Sequence, residues 1–136
     1  MKAQRVDLRG VGDLRGLAER VVRVRLREAR TLARALDRRD CQSLHDFRIA
    51  CKRLRYALER FQGLDASLET IAGRLAAVQE RLGEAHDRDV LLAILPAAMS
   101  ATERRLQAER EASIDRARAH WQECEQLMQA LDSHRI

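Results

Sequence analysis

The stretch SLHDFRIACKRLRYALERF, residues 43–61, carries one histidine and five basic side chains within nineteen residues. Four of them, His45, Arg48, Lys52 and Arg55, recur at spacings of 3, 4 and 3, which on a helix aligns them in a single row. Guanidinium, ammonium and imidazole groups in file can hold phosphates or carboxylates through charge-assisted hydrogen bonds, and Arg does so bidentately. Arg53 and Arg60 point away from that row and read as surface charge. A second row precedes it: Arg20, Arg23, Arg27, Arg30 and Arg34 repeat at 3, 4, 3 and 4. A solvated helix face normally mixes Glu at i+4 into such a row. Here Glu19 and Glu28 flank it, and the row itself holds only Arg.

Other chemistries find less support. His45 and His86 belong to no HxxxH pair, and no paired carboxylates or Gly-rich phosphate loop accompany them, so neither a metal, a cofactor nor a catalytic residue is expected. His120 and His134 fall among mixed charges and read as surface residues. Cys41, Cys51 and Cys124 are odd in number and form no CxxC, which suits reduced, inert thiols. The N-terminus lacks an apolar h-region and no run approaches 18 apolar residues, so a cytoplasmic protein is expected.

The net charge of +5 is unevenly distributed. Residues 14–62 hold 14 Lys/Arg against 6 Asp/Glu, a net of +8, whereas residues 63–136 hold 9 against 13, a net of −4. Such asymmetry is the footprint of a polyanion or an acidic partner. Of the 26 basic residues 24 are Arg. Phosphate recognition accounts for that ratio, and so does a GC-rich coding bias.

These rows need helices to carry them. With 46% hydrophobic residues, 35% charged residues, one Pro and no strand-like alternation, a single domain is expected, an all-α antiparallel four-helix bundle with long helices. A flexible lead-in, 1–12, precedes a first helix over about 14–37, with a core stripe of Val22, Leu26, Ala29, Ala33 and Leu36. The second helix spans about 44–62, with Ser43 as N-cap and Gly63 as its stop, and buries Leu44, Phe47, Cys51, Leu54, Leu58 and Phe61. The third covers about 68–95, with Gly83 tolerated or kinking it; Gln79, His86, Val90 and Ala93 fall on the same side as Leu68, Ile71, Leu75 and Leu82. Pro96 ends it or opens the fourth, about 97–132, whose Leu106, Ile114, Ala117, Trp121, Cys124, Met128 and Leu131 form a scaffold stripe. In both of the first two helices a basic row stands beside a core stripe. Packing them through those stripes would bring the rows together as a groove, with Tyr56 as a packing residue at its edge.

At this point the pattern resembles a known family. LHDFRIACKRLRYALERF is similar to the signature helix of CHAD domains, the conserved-histidine α-helical domains, through His45, Arg48, Lys52, Arg53, Leu54, Arg55, Tyr56, Leu58, Glu59 and Phe61. A second segment, LAAVQERLGEAHDRDVLLAIL at 75–95, resembles the family through Gln79, Leu82, Gly83, His86, Asp87 and Val90, and the tail LDSHRI at 131–136 resembles its ending. His86 occupies a position where another version of the repeat carries Arg. CHAD domains usually hold two four-helix repeats, and this length holds one. The chain is then a stand-alone half, a fragment, or a unit that pairs with itself as a homodimer replacing the second repeat.

The resemblance implies binding of inorganic polyphosphate on a basic surface, association with polyphosphate granules, and no enzymatic activity. It implies phosphate contacts from His45, Arg48, Lys52 and Arg55, with Arg53 as an outer contact and His86 added from the second segment. The row Arg20, Arg23, Arg27, Arg30 and Arg34 joins them on the stripe argument alone. Polyphosphate offers repeated charge and no base to stack on, which suits a chain with only four aromatics. The competing class is a basic helical module that binds nucleic acid non-specifically or meets an acidic protein.

Overall fold

The computed structural model describes residues 2–135, and of residues 132–135 the backbone alone. Four long helices and one short one make up the chain: α1 (Leu14–Leu32), α2 (Ala35–Arg38), α3 (Cys41–Phe61), α4 (Ala66–Ile94) and α5 (Ser100–Arg135), with a 3-10 turn at Gln62–Leu64. No strand occurs among the described residues, so the all-α expectation holds.

Three of the four long helices start where an aspartate caps them. Asp13 accepts from Gly16 N at 2.7 Å, Asp40 from Ser43 N at 2.9 Å, and Asp65 from Ser67 N at 2.9 Å. These side chains satisfy backbone N–H groups that the first turn leaves open. The caps correct two expected boundaries. α3 begins at Cys41, with Asp40 as its cap, so Ser43 lies inside the helix; α4 begins at Ala66. Pro96 ends α4 rather than opening α5: the helix stops at Ile94 and α5 starts at Ser100. The proline lies in the connection after Leu95, whose extended backbone is what a following Pro imposes, and its carbonyl accepts from Met99 N at 3.1 Å. Gly83 leaves α4 continuous.

The expected first helix divides. Past Leu32 the backbone tightens to i→i−3 bonds, Ala33 N to Arg30 O and Leu36 N to Ala33 O. The cause lies in α5. Arg118 donates to Leu36 O at 2.7 Å and pairs with Asp37, while Ala35 and Leu36 roll into the core. Arg39 then turns the chain with φ 62°, a left-handed conformation that a non-glycine residue adopts at a cost of about 1 kcal/mol. Its guanidinium offsets this by bonding Leu36 O at 3.0 Å, Glu111 at 3.1 Å and Asp115 at 2.5 Å. Arg110 closes the clamp, reaching Asp89 at 2.6 Å, Glu111 at 2.7 Å and the carbonyl of Arg39.

α3 packs against α1, α2 and α4, and α5 packs along α4. The pairs Arg88–Glu109, Asp89–Arg110, Glu84–Ser113 and Arg74–Glu123 run down α4 as they run up α5, so these two helices lie in opposite directions. The core holds the expected stripe of α3, with Phe47, Cys51 and Leu54 fully buried, together with Leu75, Ile114, Ala117 and Cys124. Phe47 meets Trp121 edge-on, centroids 5.2 Å apart, which joins α3 to α5 through the middle. Three residues expected on the inner side of α4 are exposed instead: His86, Val90 and Ala93. Cys41, the first residue of α3, lies beside Asp89 and Arg110. Beyond Asp89, therefore, α4 has outrun α3, which leaves Val90 and Ala93 uncovered, whereas His86 lies before that point, one residue off the buried stripe of Val78, Leu82 and Ala85. The lead-in has no regular structure, yet it is tied along α1: Gln4 N donates to Glu28 at 2.6 Å, and Arg20 donates to Asp7 O at 2.6 Å. Of the tail segment 131–136, all but Leu131, His134 included, lies outside the residues whose side chains are described.

Two outcomes follow for stability. Replacing Arg110 with Ala leaves the Asp89 carboxylate and the Arg39 carbonyl without their donor, and urea unfolding should show a loss of about 1–3 kcal/mol. Burial, first among its causes, pushes the Cys124 thiol up to about 12 from an ordinary 9.0. A proton held more tightly in the folded state stabilises fully below the unfolded value and is lost as pH climbs through the folded one. Stability should therefore fall between about pH 9 and 12, with a shallower slope in Cys124→Ala, as read by denaturation at fixed pH steps.

Candidate functional site

The basic row of α3 is set by the core stripe beside it. Leu44, Cys51 and Leu58 turn inward, so His45, Arg48, Lys52 and Arg55 come out along the adjoining flank. His45 and Lys52 are exposed, while Arg48 and Arg55 are half-buried. His45, Arg48 and Lys52 have no hydrogen-bond or ion-pair partner among the described residues. Arg55 has one weak pairing, Nε to Glu59 at 3.8 Å, too long for a hydrogen bond. Its buried Nε–H consequently has no acceptor. Row members that are helical neighbours repel one another, and Glu59, weakly paired with Arg55, is the acid set against them among the described residues.

Tyr56 is not an edge packing residue. Its ring is 51% exposed and sits between two cations of the row, with Lys52 Nζ 5.7 Å and the Arg55 guanidinium carbon 5.2 Å from its centroid. The spacing could have revealed half of this, since Tyr56 follows Lys52 by four, whereas the one-residue step from Arg55 carries no such signal.

α4 supplies the neighbouring surface. Because Cys41 meets Asp89, His86, about 4.5 Å back along α4, lies at the same end of the helix pair as His45. His86 is exposed and has no hydrogen-bond or ion-pair partner among the described residues. Further along α4, Gln79 carries a buried Oε1 without a donor. Arg53 is half-buried on another face of α3 and is engaged within the protein.

The arginine row of α1 has a different character. Arg20 is spent on the carbonyls of Asp7 and Arg9, and Arg30 is held by Glu125 of α5 at 3.2 Å. Arg34 bonds the Thr31 carbonyl at 3.4 Å. Only Arg23 and Arg27 are exposed with no hydrogen-bond or ion-pair partner among the described residues. With Arg30 they rim a cavity shared with α4 and α5, and no member of the α3 row lines it. Unpaired members thus follow one another along the α3 row from His45 to Lys52, and in the α1 row they are confined to two positions.

A family model of the CHAD domain matches residues 3–96. The chain belongs to the CHAD family. The matched span contains α1 to α4 and both rows, and it ends at Pro96, so α5 follows it. No curated protein and no solved structure matches the chain. In this CHAD domain, two of the three segments that resemble the family lie within the match, the first on α3 and the second on α4, and the tail at 131–136 falls outside it. No group of His, Cys, Asp and Glu among the described residues is arranged to hold a metal ion. Of the thiols, Cys51 and Cys124 are pushed up by burial and Cys41 by desolvation and the neighbouring Asp89. None has the lowered pKa of a nucleophile.

Row members without an internal partner contribute nothing to folding. Arg48→Gln should unfold within about 0.5 kcal/mol of the parent or above it, since only repulsion is removed, whereas Lys52→Gln also gives up the contact with the Tyr56 ring and should lose up to about 1 kcal/mol. Thermal melts at low salt would show it, and a marked loss would mean that the row is structural.

Proposed function

We propose that this CHAD domain binds inorganic polyphosphate, without catalysing a reaction on it, along the row His45, Arg48, Lys52 and Arg55 of α3. The observation that carries the reading is a file of four cationic or protonatable groups on one helix flank, three of them with no internal counter-charge. A phosphate polymer presents anions at regular intervals, and a straight row on a rigid helix meets them in series without conformational change. His86 extends the path from α4, Arg53 is an outer contact, and Arg23 and Arg27 are the members of the α1 row with charge free to contribute. Arg20, Arg30 and Arg34 would act only by leaving the bonds they now make. The scaffold in this reading is an antiparallel four-helix bundle, and the protein resides in the cytoplasm on polyphosphate granules. Two copies associate to replace the second repeat of the usual CHAD domain, which solution mass would report directly.

The decisive experiment compares long-chain polyphosphate, duplex DNA and heparin at matched charge across a salt series. Polyphosphate should bind most tightly, and Arg48→Ala with Lys52→Ala should weaken it by a factor of ten or more, on the basis of about 1.5–3 kcal/mol for hydrogen bonds to charged groups. Equal affinity for all three polymers would reduce the reading to a generic polyanion surface. Full affinity in the double variant would move the site off α3.

A further inference from the structure

We propose that the cavity between α1 and α5 binds a single-chain amphiphile, an alkyl chain carrying a carboxylate or phosphate head. The site is separate from the α3 row, and the proposal does not rest on the polyphosphate reading.

The cavity exists because of composition and helix placement. α1 leans on α3, and α5 leans on α4, but α1 and α5 do not pack closely on each other. Across that seam they are joined by the Arg30–Glu125 pair. Bundles usually close such a seam with large side chains. Here the two buried aromatics are committed to each other at Phe47 and Trp121, and α1 offers Ala18 and Val22 instead. What remains is a cavity of about 400 Å³, within the range of small-molecule sites, about 300–1,000 Å³.

Its chemistry is two-sided. Leu58, Leu68 and Ile71 form the floor, and Val22, Met128 and Leu131 form the walls. None of these six side chains can hydrogen-bond water, so contact with an apolar guest is favoured over contact with water along them. The rim, by contrast, carries Arg23 and Arg27, both exposed and unpaired among the described residues, along with Arg30 and with Glu19 on the same helix. The lining of α1 runs from Ala18 to Thr31, about 20 Å of helix. A volume of about 400 Å³ strung along that length is narrow, and a second helix, about 10–12 Å across with its side chains, would not enter it. A flexible alkyl chain would, with its anionic head at Arg23 and Arg27.

The test is calorimetric titration of the full chain with octanoate, decanoate, dodecanoate and dodecyl phosphate, all kept below their micelle concentrations, and with dodecyltrimethylammonium as the cationic counterpart. Affinity should rise about fourfold per added methylene until the cavity is full, and the cationic amphiphile should bind at least tenfold more weakly than dodecanoate. The head that binds more tightly, carboxylate or phosphate, identifies the source as a free fatty acid or a phosphate-headed lipid. Arg23→Gln with Arg27→Gln should weaken both anionic amphiphiles at least tenfold. Val22→Phe, which fills the cavity, should abolish their binding while polyphosphate binding persists, with circular dichroism confirming the fold. Should Val22→Phe not fold, the arginine variant decides alone. The proposal is overturned by no measurable heat, by equal binding of the cationic amphiphile, or by unchanged affinity in the arginine variant. A dimer that Val22→Phe splits would also overturn it, because a second copy would then occupy the cavity.

Discussion

Everything in this domain leans on one buried helix face. Phe47, Cys51, Leu54 and Leu58 of α3 are at 0–1% exposure, and through them α3 holds α1, α2 and α4 directly and reaches α5 by the Phe47–Trp121 contact. A helix so completely committed on one side cannot rotate about its axis without opening the core, since interiors pack at the density of crystals. The positions three and four residues apart on the adjoining flank are fixed by the same constraint. The basic row is straight because the core stripe is straight. Packing and presentation of charge are one property of α3.

Charge bookkeeping across the helices follows from this arrangement. The C-terminal half holds a surplus of acids, and the structure spends it internally. Glu109 and Glu123 meet Arg88 and Arg74 along the α4–α5 pair, while Glu111, Asp115 and Glu125 reach across to Arg39 and Arg30. The two halves are thereby clamped, and the arginines nearest α5 are neutralised. The helix flank farthest from this supply, on α3, keeps its charge. Exposed pairs of this kind contribute little singly; the Arg110 and Arg39 clusters count for more because each joins two helices and a backbone carbonyl.

What the sequence made legible was whatever depends on period. Helix class, the α3 stripe, and the α5 stripe of Ile114, Ala117, Trp121, Cys124 and Met128 were readable from spacings of 3 and 4, and the family from the residues of α3 and α4. What it hid was whatever depends on relative placement. The break after Leu32 has no Gly or Pro to announce it, being imposed by Arg118 from 82 residues away. The exposure of Val90 and Ala93 follows from where α3 begins, which no pattern within α4 encodes. The two basic rows look alike as spacings, yet one is free and the other is largely spent on the lead-in, on Glu125 and on its own backbone.

Tyr56 shows how such a row can be ordered without being neutralised. Long cationic side chains lose rotamer freedom, up to about 2 kcal/mol each, when an anion fixes them. A carboxylate partner would order them in advance, but an incoming phosphate would then have to displace it. An aromatic ring attracts Lys52 and Arg55 through its quadrupole, worth about 0.5–1 kcal/mol at an exposed site, and leaves their net charge intact. Part of the ordering is then done before any ligand arrives, and the N–H groups still point outward for an acceptor. The Nε–H of Arg55 stands apart from this: it is buried without an acceptor, so any contact of Arg55 with an anion would fall to its terminal N–H groups.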